Sequence, residues 1–261
     1  MEKLHRYKKE IDAFLASFLA SKQKEYGRIN RWGPDAIEKI RAIVSEGKTI
    51  RGSLILLSYS FFKSKISKKA IRVAAAMELL HTALLIHDDI MDHDEVRRGL
   101  PALHIQYKSE ALAMCVGDIL FFLAHELLSN TDVQVVTDQV FQEVCIAQME
   151  DVAKSAKTKK DVLSLYTYKT ARYTFSLPLM AGARLARADK KTIAVLEKLG
   201  EAMGILFQIR DDELDKETSG LELEKPRYQK NAMKLIHSLQ INASDKKTLS
   251  DILDFVIHRE R

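Results

Sequence analysis

Residues 73–87 read Val-Ala-Ala-Ala-Met-Glu-Leu-Leu-His-Thr-Ala-Leu-Leu-Ile-His, a run that is apolar around most of the circumference of a helix. A helix of that kind has to be surrounded by other helices, so this stretch predicts an interior element of a multi-helix bundle. The punctuation of the chain agrees. Ten glycines and four prolines in 261 residues leave few places to break the backbone, which favours long helices over many short strands. With 46% apolar and 30% charged residues the chain can bury one large core without a disordered or fibrous section. The expectation is an all-α fold, a single domain over 1–261 built from long helices.

Further helices are expected at 111–128, 133–156 and 162–186, separated by polar breaks such as Ser129-Asn130-Thr131-Asp132. Ile193, Leu196, Gly200, Met203 and Phe207 recur at steps of three and four, with Asp189 upstream as an N-cap. No fixed-period repeat is present. Residues 216–230, with Gly220, Pro226 and many charges, read as a flexible loop suited to act as a lid.

Several classes are disfavoured. Cys115 and Cys145 have no CxxC spacing and read as reduced, buried thiols of a cytoplasmic protein. The N-terminus leads into no secretory apolar region, and no apolar run approaches the ~20 residues that span a bilayer, so no transmembrane segment is expected. The longest apolar candidate, 50–62, is interrupted by Arg51. A net charge of +5 suits any anionic partner, but the basic residues are scattered without interleaved aromatics, which argues against a nucleic-acid groove.

The chemistry lies in the acidic residues. Asp88-Asp89-Ile90-Met91-Asp92 and Asp211-Asp212-Glu213-Leu214-Asp215 repeat one pattern, DDxxD, and each closes an apolar helix. Residues four apart share a helix face, so Asp88 with Asp92, and Asp211 with Asp215, can aim two carboxylates at one point. Magnesium takes hard oxygen ligands of this kind, using one or two carboxylates together with substrate phosphate oxygens. A single cluster is as readily a solvated helix end; two clusters ending apolar helices call for a neutralising cation. Basic residues for a diphosphate stand in Gly47-Lys48-Thr49-Ile50-Arg51 and in Arg97-Arg98-Gly99, where arginine offers a planar fork matched to phosphate oxygens. Either group alone is an ordinary surface feature.

Taken in order, these elements resemble the trans-isoprenyl diphosphate synthase family, the polyprenyl synthetases. The likeness runs through Glu46-Gly-Lys-Thr-Ile-Arg51, Glu78-Leu-Leu-His-Thr-Ala-Leu-Leu-Ile-His-Asp-Asp-Ile-Met-Asp92, Arg97-Arg98-Gly99, Gly117-Asp118, Gln148, Lys169-Thr170 and Phe207-Gln208-Ile209-Arg210-Asp211-Asp212. The resemblance implies the isoprenoid synthase-like fold, a bundle of long helices around a central apolar cavity, with three magnesium ions, a homodimer, and isopentenyl diphosphate and an allylic diphosphate as substrates. It implies that Asp88, Asp92 and Asp211 bind magnesium, assisted by Asp89, Asp212 and Asp215. Arg97, Lys169 and Lys225 would hold the allylic diphosphate; Lys48, Arg51, His81 and Arg98 would hold isopentenyl diphosphate; Gln148, Thr170 and Gln208 would line the substrate site. The chain departs from the family in three places. Glu224-Lys225 and Gln229-Lys230 keep the lysines of a Gly-Lys pattern without its glycines, Gly52 stands where proline is common, and the region after about residue 230 is short.

The implied reaction is metal-triggered loss of diphosphate from the allylic substrate, followed by addition of isopentenyl diphosphate to the allylic cation. No side-chain nucleophile is required. Ala83 and Leu84, one turn before the first cluster, would line the tunnel for the growing chain, and the small Ala83 suggests a product of roughly twenty carbons or more. Phe141, and with it Phe121 or Phe122, would form a deeper floor, although each is more often simply a core residue. Two other readings compete: another metal-ionising terpene enzyme, against which Lys48, Arg51, His81 and Arg98 argue, and a catalytically silent partner subunit, against which the two complete aspartate clusters argue.

Overall fold

The computed structural model describes residues 2–216 and 220–259, and it is all-α apart from one two-residue hairpin. The helices are α1 (Glu2–Tyr26), α2 (Trp32–Ser45), α3 (Ile50–Ser60), α4 (Lys68–Met91), α5 (Leu103–Tyr107), α6 (Glu110–Leu128), α7 (Gln134–Val152), α8 (Lys159–Leu165), a π-helix (Tyr166–Ser176), α9 (Leu177–Leu185), α10 (Lys190–Asp215), a short 3-10 turn (Glu222–Glu224), α11 (Lys225–Ser238) and α12 (Ala243–His258). Side-chain caps start many of them. Ser67, Ser109, Asp189 and Asn242 each accept a backbone N–H from the first turn, and Thr158 with Asp161 forms a capping box.

The residues group into two compact units, one made of Leu4–Ser53 and Ser67–Thr131, the other of Met1–Lys3, Leu54–Ile66 and Asp132–Arg261. In the first unit α4 is the interior helix that its composition predicts. Val73 to Leu80 are all buried, and α4 packs along α6. The contact is close because Gly117 of α6 lies against the His87 ring, where a Cβ would come within 2.3 Å of Nε2. Strands β1 (Val96–Arg97) and β2 (Leu100–Pro101) follow α4 and pair antiparallel, Val96 opposite Pro101. Their turn has φ of 54° at Arg98 and 78° at Gly99, the two positive values that a tight right-twisted hairpin needs.

In the second unit the π-helix lies on α10. Gly200 and Gly204 make this possible: a Cβ on either would sit 2.4 Å from Ser176 or 2.3 Å from Ala171 backbone atoms. Tyr166, Ala171, Ile205, Ile209 and Leu221 form the apolar cluster around this contact.

Five expectations are corrected. Residues 162–185 are helical without a break, as expected, but the middle is an eleven-residue π-helix between α8 and α9 in place of α-helix. The helix expected to 156 ends at Val152. Helix resumes at Lys225, so the predicted lid segment is helical over its last part, while 217–219 lie outside the described residues. Cys115 and Cys145 are exposed, which two scattered cysteines could not reveal. Finally, α4 and α6 are both long and apolar enough to cross a membrane by length and composition, although 67% of the α4 window is buried by protein as befits a core helix; the corresponding share in α6 is 44%. Counting unbroken apolar runs overlooked them because Glu78, His81, His87 and Asp118 interrupt the sequence without offsetting its mean hydropathy.

Candidate active site

In the first unit, α4 delivers Asp88, Asp89 and Asp92 at its last turn, and the hairpin delivers Arg97 and Arg98. The two central carboxylates are not equivalent. Asp89 is buried at 3% exposure, and its Oδ1 accepts Arg97 Nε at 2.6 Å, while Arg97 Nη2 donates to Asp94 Oδ2 at 2.7 Å. Burial pushes the Asp89 carboxyl above its ordinary range and the Arg97 hydrogen bond opposes that rise. Asp88 is half-buried and Asp92 exposed, and the Asp92 N–H donates to the Asp88 carbonyl at 2.8 Å, so the outer pair shares one turn and reaches solvent.

The basic residues converge on the same unit. Arg98 Nη1 donates to the Ile43 carbonyl at 3.1 Å and lies against Gly47, whose hypothetical Cβ would stand 3.2 Å from that nitrogen. The hairpin thus packs on the turn that carries Lys48. Thr49, with φ of 53°, is held from α1: Lys8 Nζ donates to Thr49 Oγ1 at 3.3 Å and to Asp12 Oδ2 at 2.8 Å. Lys48 is exposed and Arg51 sits in the first turn of α3. His81, enclosed by protein although part of it still meets solvent, is neutral: burial lowers its pKa well below the ordinary value, and the charges of Arg51, Arg98 and Arg97 lower it further. Ala83 is fully buried and Leu84 half-buried. Phe121 meets His87 edge-on at 5.6 Å between ring centroids, whereas Phe122 is 76% exposed and so forms no floor within its unit.

In the second unit, Gly200, Gly204, Gln208 and Asp212 recur at steps of four and occupy one face of α10. The glycines admit the π-helix, and the polar pair then bonds it: Thr170 Oγ1 donates to Gln208 Oε1 at 2.9 Å and Gln208 Nε2 donates to Asp212 Oδ1 at 3.0 Å. Tyr166 donates its phenol proton to Asp212 Oδ2. Asp212 is therefore buried within the unit, while Asp211 is half-buried and Asp215 exposed. Arg259, after α12, pairs with Asp211, lies over the Phe207 ring at 3.9 Å, and offers its carbonyl to Arg210 Nε and Nη2 at 3.0 and 2.9 Å.

Lys169 pairs with Asp151 of α7, the helix that also bears Gln148 and the buried Phe141. Lys225 reaches both oxygens of Glu213 at 2.8 Å. Burial raises the Glu213 carboxyl, but hydrogen bonds from Lys225 and Arg210 outweigh it, so its pKa falls below the ordinary value.

Sequence reasoning missed Glu78, Asp151, Tyr166, Glu213 and Arg259. Asp151 was the most accessible of these, since it follows Gln148 by three residues and shares its helix face. Arg259 carried no local signal. A magnesium ion fits the donor set: each cluster ends a helix and offers hard carboxylate oxygens, Asp88 and Asp92 in the first unit, and in the second the exposed Asp215 with Asp211 once Arg259 yields, where phosphate oxygens and water can complete a shell. Among the described residues no three acidic, histidine or cysteine side chains gather closely enough to hold a metal alone.

Residues 35–259 match the model of the polyprenyl synthetase family. The short chain isoprenyl diphosphate synthase of Methanothermobacter thermautotrophicus is 37% identical over 194 residues, covering 70% of this chain and 59% of that protein. Heptaprenyl diphosphate synthase component 2 of Geobacillus stearothermophilus is 30% identical over 226 residues, covering 84% of this chain and 70% of that one. The fold matches the crystal structure of geranylgeranyl pyrophosphate synthase from Corynebacterium glutamicum with a TM-score of 0.87 at 19% identity, over 98% of this chain and 99% of that one. The chain spans 59% of the length of the first of these relatives.

Proposed function

The chain belongs to the polyprenyl synthetase family, and from that premise we propose that it is a prenyltransferase which condenses isopentenyl diphosphate with an allylic diphosphate to a trans-prenyl diphosphate. The observation that carries this reading is the repeated DDxxD sequence, each copy closing a long helix, with Asp92 and Asp215 exposed, Asp88 half-buried and Asp211 half-buried against Arg259. Bound magnesium would neutralise the diphosphate and make it a better leaving group. Asp88, Asp92 and Asp211 would hold it, Asp211 giving up or sharing its pair with Arg259, and the buried Asp89 and Asp212 serve as anchors for Arg97 and for the Gln208–Tyr166 pair.

The chain's own residues supply electrostatics and positioning. Lys48, Arg51 and Arg98 offer cationic donors to the diphosphate of isopentenyl diphosphate, and the neutral His81 ring supplies a hydrogen bond without a further charge. Arg97, Lys169 and Lys225 are assigned to the allylic diphosphate. Each is paired with a carboxylate, respectively Asp89, Asp151 and Glu213, so each is oriented in advance, and the ligand has to outbid or share those pairs. Thr170 and Gln208 line the centre beside Asp212. The small, buried Ala83 supports a product of about twenty carbons or longer. The exposed apolar residues Met114 and Phe122 of α6 support a homodimer contact, measurable by sedimentation.

The test is turnover of labelled isopentenyl diphosphate with allylic primers of increasing length in the presence of magnesium. Elongated products that disappear on chelation are expected. A folded protein that fails with every primer sinks the reading and favours a partner subunit that requires a second chain.

A further inference from the structure

Glu78 has no part in the assignments above, yet it is buried at 6% exposure in the middle of α4, three residues before His81. A carboxylate in that setting is costly unless its oxygens are used. Glu78 Oε1 accepts the N–H of Gly52 at 2.7 Å. That N–H belongs to the first turn of α3, one of the donors that a helix cannot satisfy internally, so α4 caps α3 with a side chain. Burial is the largest influence on the Glu78 carboxyl and raises its pKa; the Gly52 hydrogen bond and the charges of Arg51, Arg98 and Lys8 act against it.

Position 52 permits this arrangement in two ways. A Cβ there would meet the Ala74 carbonyl oxygen at 2.8 Å, so only glycine lets α3 come this close to α4. Proline, which the family resemblance makes common at this position, has no N–H to donate. The capped turn is the one that carries Arg51, and it follows the connection Gly47-Lys48-Thr49, in which Gly47 lies against the Arg98 guanidinium.

We propose that Glu78 is a positioning residue: through Gly52 it fixes the first turn of α3 so that Lys48, Arg51 and Arg98 stand assembled for a diphosphate before it arrives. The assignment of that diphosphate to isopentenyl diphosphate rests on the reading above; the positioning role does not.

Calorimetric titration with inorganic diphosphate tests it directly. Glu78→Ala removes the acceptor and is expected to weaken binding about tenfold, whereas Glu78→Gln keeps a carbonyl for Gly52 and is expected to stay within about threefold of the native affinity. Where Glu78→Ala does not fold, Glu78→Asp, which withdraws the acceptor by one methylene, carries the expectation of the alanine variant. Tighter binding by both Gln and Ala would mean that Glu78 acts only as a repelling charge. Equal binding by all variants, or no binding by the native protein, likewise overturns the proposal. In turnover, Glu78→Ala should raise KM for isopentenyl diphosphate about tenfold and leave the allylic KM within about twofold; parallel rises in both constants would reduce Glu78 to general support of the fold. A native protein that binds inorganic diphosphate in a Glu78-dependent way but elongates no primer would leave the positioning role standing and remove the isopentenyl reading.

Discussion

Gln208 joins two elements with one side chain: its amide nitrogen donates to Asp212 at 3.0 Å while its carbonyl accepts from Thr170 at 2.9 Å. The bridge exists only because the π-helix backbone touches α10 one and two turns earlier, at Gly204 and Gly200. A π-helix is rare and tends to mark functional positions, and this one carries Lys169 and Thr170.

Gly204→Ala is therefore expected to destabilise the protein by about 3 kcal/mol, since the new Cβ would overlap Ala171 backbone that cannot yield easily. Gly99→Ala is the contrast. No atom lies within 4 Å of its hypothetical Cβ, and the penalty is only that of a left-handed φ, about 1 kcal/mol. Urea unfolding of both variants checks this, and equal losses would contradict the packing.

Replacing Asp88 or Asp211 by Ala should lower kcat/KM by at least about a hundredfold, the scale on which removing a charge-stabilising group acts in a polar active site. Circular dichroism should remain native because both side chains are only half-buried and Arg259, which loses its Asp211 partner, stays tied to Arg210 through its carbonyl. Undiminished turnover in either variant would separate the aspartates from the reaction.

Asp89→Ala leaves the Arg97 guanidinium without its main anchor. A loss of about 1–3 kcal/mol in stability is expected for a charge-assisted bond whose arginine still reaches solvent. The allylic KM should rise along with it. Asp89→Asn, which retains an acceptor for Arg97, should recover much of the loss in a side-by-side denaturation and kinetic comparison.

The neutral His81 predicts a definite pH signature. Its folded pKa lies below the ordinary value, so between the two the unfolded chain binds the proton and the folded chain does not. The His81 contribution to stability is hence highest above pH ~6.5 and declines as the pH falls through the window below it. The stability difference between the native protein and His81→Gln should shrink on acidification from pH 7.5 to about 5. A difference that stays constant, or grows, would mean that His81 is not held neutral.

Ala83→Phe should shorten the product by filling space one turn before the first aspartate cluster, at a stability cost of about 1–3 kcal/mol for overpacking a fully buried site. Chromatographic sizing of labelled products reads the outcome. Products of unchanged length would reject Ala83 as a tunnel wall.

What the sequence by itself determined is what local physics controls. The all-round apolar character of 73–87 required an interior helix; the Asp189 cap and the three-and-four spacing after it located α10; and both aspartate patterns fell at helix ends, where residues four apart share a face. Periodicity and capping act over a few residues, so they are written in the chain.

The tertiary structure alone decided which carboxylates of the two clusters are exposed and which are spent. Asp212 meets Tyr166, 46 residues away, and Asp211 meets Arg259, 48 residues away. Lys169 finds Asp151, and Gly52 finds Glu78. Each pairing depends on how closely two helices approach, and that distance is set by small residues such as Gly52, Gly200 and Gly204, together with the volume of everything packed around them. No short-range pattern encodes such a sum of contacts, which is why the π character of Tyr166–Ser176 and the partners of the site's charges became visible only in the folded chain.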